Sequence, residues 1–266
     1  MSKFDILVRD TLWTYFIPFG LLGFVIIVVL TDSLRDLQKR IFKWMMKEFA
    51  EVHEQLLSDI KDALFDDLRQ IESKVVDLRN KGVIRILEIG VGAGTNLKYY
   101  PQQCRLVLVD PNFYFKLYFD ENKSKFPDIN LEKFIVSSGE NLKGVASNSV
   151  DVVVTTTVLC SVENVKSVLR EIRRVLVPGG RYYFMEHLLD EYVPHRTQLQ
   201  KALTWSRIWP WLCDGCKFLP IRSEISLCGF STVDYREFML DNSNLKGKVK
   251  LLATLMAPHI VGIAKK

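Results

Sequence analysis

A chain of 266 residues with 48% hydrophobic and 25% charged side chains has room for one generous domain with appendages, is cramped for two, and is too apolar for wholesale disorder. Its formal net charge of +5 comes without a dense Lys/Arg tract, which argues against nucleic acid as a partner and suits an anionic membrane surface. Five cysteines, Cys104, Cys160, Cys213, Cys216 and Cys228, form an odd and widely spaced set that fits a reducing compartment better than a secreted disulfide framework.

The first predicted element is apolar. Residues 11–30 carry no charge over twenty positions, enough for a helix to cross about 30 Å of hydrocarbon. The run is long for the core of a signal peptide, and no small-x-small cleavage site follows it, so it reads as an uncleaved anchor. Pro18 and Gly20 leave a spanning helix and a re-entrant hairpin both open. Arg35, Lys39, Arg40, Lys43 and Lys47 on its far side, against Lys3 and Arg9 before it, predict that the bulk of the chain faces the cytosol.

Residues 34–79 then place Phe42, Met45, Phe49, Val52, Leu56, Ile60, Leu64, Leu68, Ile71, Val75 and Leu78 at helical spacing, as one long helix or two shorter ones. The first part, with Phe42 and Trp44 among lysines, suits a bilayer surface or the edge of a folded domain equally well. Asn80-Lys81-Gly82 supplies a stop. The organisation expected is an anchor over 1–32, an amphipathic juxtamembrane segment over 33–81, and a catalytic domain over 82–266.

From Gly82 onward short apolar runs alternate with helical stretches, the pattern of a doubly wound α/β domain with a mostly parallel sheet of seven strands. The strands are expected over 83–89, 104–109, 131–136, 150–155, 181–187, 231–238 and 259–264, and the helices over 96–100, 113–122, 165–176 and 197–209. The first strand ends in Glu88-Ile-Gly90-Val-Gly92-Ala-Gly94, where glycines let the backbone turn and approach a ligand closely. Asp110 ends the second strand, twenty residues after Gly90, where a carboxylate accepts hydrogen bonds from ribose hydroxyls. Together they specify a nucleoside-bearing cofactor. A dinucleotide turn would put its third glycine at position 95, which is Thr95 here.

The spacing of Gly90, Gly92 and Gly94 behind Glu88 resembles the first motif of class I S-adenosylmethionine-dependent methyltransferases. The same order continues through Asp110, Ser138-Gly-Glu140-Asn141, Ser149-Val-Asp151-Val-Val-Val154 and Val175-Leu-Val-Pro178-Gly-Gly180. The resemblance implies a Rossmann-like methyltransferase fold that binds S-adenosylmethionine through Glu88, Gly90, Gly92, Gly94, Asp110, Pro111, Glu140, Asn141 and Thr157. Glu140 either meets the adenine amino group or is a solvated loop residue, and Glu88, on an apolar strand, needs a backbone or cofactor amine as partner. Pro178-Gly179-Gly180 is expected to make a tight helix-to-strand turn.

The chain is further similar to the small membrane-bound alkyl thiol methyltransferases, on the anchor and its basic helix, Leu87–Asn96, Leu108–Asn112, Asp151–Val154, Val158–Val162, Glu186-His187, Asp214-Gly-Cys216 and Pro258-His-Ile260. That likeness implies residence in the endoplasmic reticulum membrane and on lipid droplets, and a small lipophilic thiol as acceptor. Leu227-Cys-Gly-Phe230 and the stretch Asp241–Lys250 depart from the family pattern where acceptors are recognised, so a lipid or hydroxyl acceptor, or a non-catalytic scaffold, stands as the alternative. His187 is the candidate general base, with a pocket-shaping histidine as the other reading. Cys160 lines the site or is plain core. No metal centre is expected, because Cys213-x-x-Cys216 shows no second ligand pair nearby in sequence. Trp205, Trp209 and Trp211 with Phe218 form a lid, a second membrane contact or core.

Overall fold

The computed structural model describes residues 32–266 together with Gly20 and Gly23; the anchor expected over 11–30 otherwise lies outside the described residues. No helix among the described residues is long and apolar enough to cross a membrane. The elements in chain order are helix α1 (Asp32–Phe65), a 3-10 turn (Asp66–Gln70), α2 (Val76–Arg79), β1 (Ile84–Ile89), a 3-10 turn (Leu97–Tyr99), β2 (Cys104–Val109), α3 (Phe115–Lys123), β3 (Asn130–Ile135), β4 (Val150–Thr156), α4 (Val165–Val175), β5 (Leu176–His187), α5 (Pro194–Trp205), α6 (Ile208–Leu212), α7 (Ile221–Leu227), β6 (Thr232–Met239), α8 (Gly247–Leu255) and β7 (Pro258–Lys265).

The strands form one sheet in the order β3-β2-β1-β4-β5-β7-β6. β1 pairs in parallel with β2 and β4, and β7 runs antiparallel between β5 and β6. The central strands are apolar on both faces because helices cover both. Ile84, Ile86, Leu106, Leu108, Val152 and Val154 face one core, while Leu87, Ile89, Val107, Val109, Val153 and Phe184 face the other. The chain order reverses between β1 and β4, the point at which open α/β sheets bind ligands beyond the carboxyl ends of their strands.

Several boundaries differ from the sequence expectation for physical reasons. β5 begins at Leu176, directly after α4, and the Pro178-Gly179-Gly180 expected as a turn lies inside the strand. The strand absorbs it as an irregularity, with Gly179 at φ +77 and a register shift against β4 between Val150 and Val152. α7 and α8 are helices that periodicity did not reveal, and the second of them starts at Gly247, inside the stretch 241–250 that departs from the family pattern. α1 is one helix over its whole length, and its second half buries Leu57, Leu64 and Phe65 against the core that also holds Tyr99 and Tyr183. Phe42 meets Phe115 edge-on at 6.2 Å, so the helix also covers the domain nearer its start. At the opposite end of the sheet Asp151 accepts from Ser73 Oγ, Lys74 N and Arg85 N, fastening the connection from α1 below β4.

Candidate active site and cofactor cleft

The three glycines after β1 all adopt positive φ, at +71, +50 and +72, but for different reasons. A Cβ on Gly90 would stand 2.4 Å from Val158 Cγ2, and one on Gly94 would stand 2.9 Å from the Phe119 ring, so these two let protein pack against protein. A Cβ on Gly92 would meet nothing within 4 Å. Gly92 therefore presents bare backbone to open space at the mouth of the cleft. Asn122, from α3, donates to Gly94 O at 2.9 Å and holds the far side of the turn.

Asp110 is buried at the end of β2 beside this turn. Its Oδ1 accepts from Asn112 N at 2.8 Å and its Oδ2 from Gly92 N at 3.3 Å. A carboxylate has about four lone-pair sites, so each oxygen keeps room for one sugar hydroxyl. Burial pushes its pKa up to about 6, against the two backbone N–H groups that lower it. Pro111 is exposed next to it.

Glu88 has side-chain partners within the chain: Asn96 Nδ2 donates to one oxygen and Tyr100 OH to the other, both at 2.8 Å. Burial raises this carboxyl to about 7 even so. Glu88 thereby ties the segment after the glycine turn to the end of β1, and Asn96 also donates to Thr156 Oγ1 at the end of β4. Glu140 accepts from Glu163 N at 2.7 Å and Asn164 N at 3.1 Å, and also from Ser138 Oγ, so its carboxylate joins the loop after β3 to the start of α4. Asn141 beside it is exposed, and its carbonyl accepts from Ser137 Oγ.

Thr157 has φ +55, an uncommon conformation for a β-branched residue and one that strained functional loops concentrate. Glu186, from the end of β5, holds the turn that follows by accepting from Val158 N and Leu159 N. Sequence reasoning gave Glu186 no role of its own. His187 is fully buried, with Nε2 3.2 Å from Cys216 Sγ and its ring 5.4 Å from that of Phe218. It turns toward sulfur and aromatic side chains of the interior. Cys160 and Cys216 share an apolar cluster with Trp209, Phe218 and Leu255. Of the tryptophans, Trp209 is core and Trp205 is 87% exposed.

Helix α1 covers the Asp110 end of the cleft. Tyr114 OH donates to Asp36 at 2.7 Å, Gln38 donates to Asp214 at 3.4 Å, and Asn112 donates to the same Asp214 carboxylate. Farther along, Lys61 is buried, paired with Glu54 at 2.6 Å, and donates to Thr95 Oγ1 in the glycine turn.

Residues 87–184 match the family model described as a methyltransferase domain. The human thiol S-methyltransferase TMT1A is 33% identical over 228 residues, which cover 86% of this chain and 87% of that protein. The chain belongs to this family of class I S-adenosylmethionine-dependent methyltransferases. Human thiol S-methyltransferase TMT1B is 31% identical over 194 residues, covering 71% of this chain and 75% of the relative.

Two solved structures share the fold. One is a possible histamine N-methyltransferase from Thermotoga maritima, with a TM-score of 0.53 at 15% identity, covering 85% of this chain and 99% of that one. The other is an S-adenosylmethionine-dependent methyltransferase from Methanosarcina mazei, with a TM-score of 0.52 at 18% identity, covering 74% and 99%. The cofactor of this methyltransferase is S-adenosylmethionine, and the open backbone at Gly92 beside the half-satisfied carboxylate of Asp110 fits its sugar.

Proposed function

We propose that the chain methylates the sulfur of small lipophilic thiols at the membrane of the endoplasmic reticulum or of lipid droplets, with the domain beyond residue 32 facing the cytosol. Bound S-adenosylmethionine supplies a methyl group on a sulfonium. In the strand order β2-β1-β4-β5, Asp110 at β2 and Gly90 at β1 fix which way the donor lies. A donor held by its sugar at Asp110 would have the ends of β4 and β5 on the far side of β1, where the acceptor would stand.

The observation that carries the acceptor class is what stands there. Trp209, Phe218 and Leu255 enclose the Cys160–Cys216 region in buried apolar side chains, surroundings that suit a lipophilic molecule and exclude water. Transfer from a sulfonium disperses charge, so alignment in a dry site supplies much of the acceleration. A thiol with a pKa near 8.5 is already a few per cent thiolate at neutral pH, whereas an aliphatic alcohol needs strong activation. The thiol S-methyltransferases at 33% and 31% identity support the same class.

The membrane half of the reading rests on the twenty uncharged residues 11–30 and on what lies next to them. The Gln38–Asp214 contact brings the start of α1 beside the loop after α6, and Leu37, Leu212, Ile208 and Trp205 are exposed there or on the adjoining α5–α6 pair. These side chains form a second, shallow contact with lipid.

Full-length protein in vesicles, supplied with methyl-labelled donor and a panel of alkane thiols, phenols and lipids, tests the acceptor class. Transfer to thiols is expected. Transfer to phenols or lipids alone overturns it.

A further inference from the structure

Three groups beside the cleft have been given no chemistry. Cys160 follows β4, His187 ends β5 and Cys216 stands in the loop after α6; their two Sγ atoms and the imidazole nitrogen lie within 4.8 Å of one another, and all three residues are buried. One of these pairs, His187 Nε2 and Cys216 Sγ, is 3.2 Å apart. A tetrahedral zinc ion with bonds of about 2.3 Å to sulfur and about 2.0 Å to nitrogen holds such atoms roughly 3.5 to 3.8 Å apart. The observed cluster needs only side-chain adjustments to reach that geometry. No carboxylate belongs to it, which turns the donor set away from magnesium and calcium and toward zinc.

Two further features suit a cation. Trp209 Nε1 donates to Cys216 Sγ at 3.3 Å, the kind of outer hydrogen bond that stabilises a ligating thiolate. His187 is fully buried with Nε2 directed at Cys216 Sγ, so the nitrogen that would ligate is already held in place.

We propose that Cys160, His187 and Cys216 bind a zinc ion whose fourth position receives the sulfur of the acceptor. Two thiolates and one imidazole with a free fourth place is a ligand set that catalytic zinc uses, whereas closed structural sites supply four protein ligands. Cys213 stands outside the group, so among the described residues the cluster supplies three ligands and not four. The site is at the right end of the cleft: Val158, which packs on Gly90, is two residues before Cys160, and β4 and β5 both end there.

The role as acceptor site rests on the thiol reading above. A thiol entering the fourth place gives its proton to solvent, and its sulfur is held as a thiolate. A sulfur lone pair then forms the new bond to the methyl carbon as the carbon–sulfonium bond breaks, and that bond's electrons remain on the donor's sulfur, giving neutral S-adenosylhomocysteine. The methylated product is a neutral thioether, a weaker zinc ligand than a thiolate, and leaves.

The test uses reduced full-length protein. Metal analysis is expected to find one zinc per chain, lost to background in Cys160→Ser, Cys216→Ser and His187→Gln and retained in Cys213→Ser. Replacement by cobalt(II) is expected to give a sulfur-to-metal charge-transfer band that strengthens when propanethiol is added without donor, a readout independent of turnover. Should the three variants fail to fold, the cobalt spectrum of the unaltered chain still decides.

No stoichiometric zinc, no charge-transfer band, a spectrum indifferent to propanethiol, or loss of metal in Cys213→Ser would each overturn the proposal. Thiol methylation by a metal-free chain removes the zinc site and leaves the thiol reading standing. A cobalt spectrum that responds to propanethiol, in a chain that methylates only phenols or lipids, removes the thiol reading and leaves the metal site.

Discussion

Asp110 and Glu88 are both carboxyl groups held above their usual range by burial, with opposite consequences. A sugar contact at Asp110 would require it to be ionised to accept from two hydroxyls, and its pKa of about 6 puts the loss of that acceptor just below neutrality. The charges that face it are those of Asp214 and Glu88, which oppose ionisation, and Lys39, which favours it. Donor affinity, followed by titration calorimetry, is therefore expected to be flat above pH 7 and to weaken as the pH falls through 6. Asp110→Ala is expected to weaken it at pH 7.5 by about 10- to 100-fold, the loss of hydrogen bonds to a charged group, without shifting the melting temperature by a comparable amount.

Glu88 faces Lys61 and Asp110, and folding holds a proton on it between about pH 4.5 and 7. Because the folded chain binds more protons than the unfolded one in that window, its contribution falls as the pH rises through it. Glu88→Gln is expected to be nearly neutral at pH 5 and to stabilise at pH 8 by up to about 3 kcal/mol in denaturant titrations. A variant that is less stable at both pH values would show that Asn96 and Tyr100 require the charge.

At the scale of elements, the glycine turn divides into a packing part and a binding part. Gly90→Ala forces a methyl into Val158 at an unfavourable φ and is expected to cost about 2 kcal/mol or more, part of it recovered in Gly90→Ala with Val158→Ala. Gly92→Ala meets no protein atom but still bears the strain of alanine at φ +50, about 1 kcal/mol, and is expected to lower donor affinity by more than that strain alone, which paired thermal melts and calorimetry would separate. Helix α1 works as a cover on the sugar side: Asp36→Ala is expected to raise the apparent donor KM severalfold with little change in kcat. Equal loss in both would mean that the helix serves the chemistry as well.

What was legible in the sequence follows from the range of the interactions. Strand positions came through, because a two-sided core demands runs such as Ile84–Ile89 and Val150–Thr156 whatever their neighbours. The turn and Asp110 were legible because close backbone approach restricts residue choice locally. The partner set of Glu88 was not, since Tyr100 and Asn96 are ordinary core residues until the chain folds. The approach of Cys160 and His187 to Cys216 was hidden for the same reason: only the folded sheet brings them together. α7 and α8 lack sharp polar faces, and only packing reveals them.

Over the whole molecule, β7 forms late in the chain yet lies between β5 and β6, both made before it. His187 pairs with His259 across that seam. While residues up to about 257 are emerging from the ribosome, the β5 edge therefore has no neighbour, β6 has nothing to join, and the end of β5 that carries His187 is open to solvent. A nascent chain tethered to a bilayer by its beginning would complete the sugar pocket on β1 and β2 first and the acceptor end last. Donor recognition would thus precede, during synthesis, any ability to hold a second reactant.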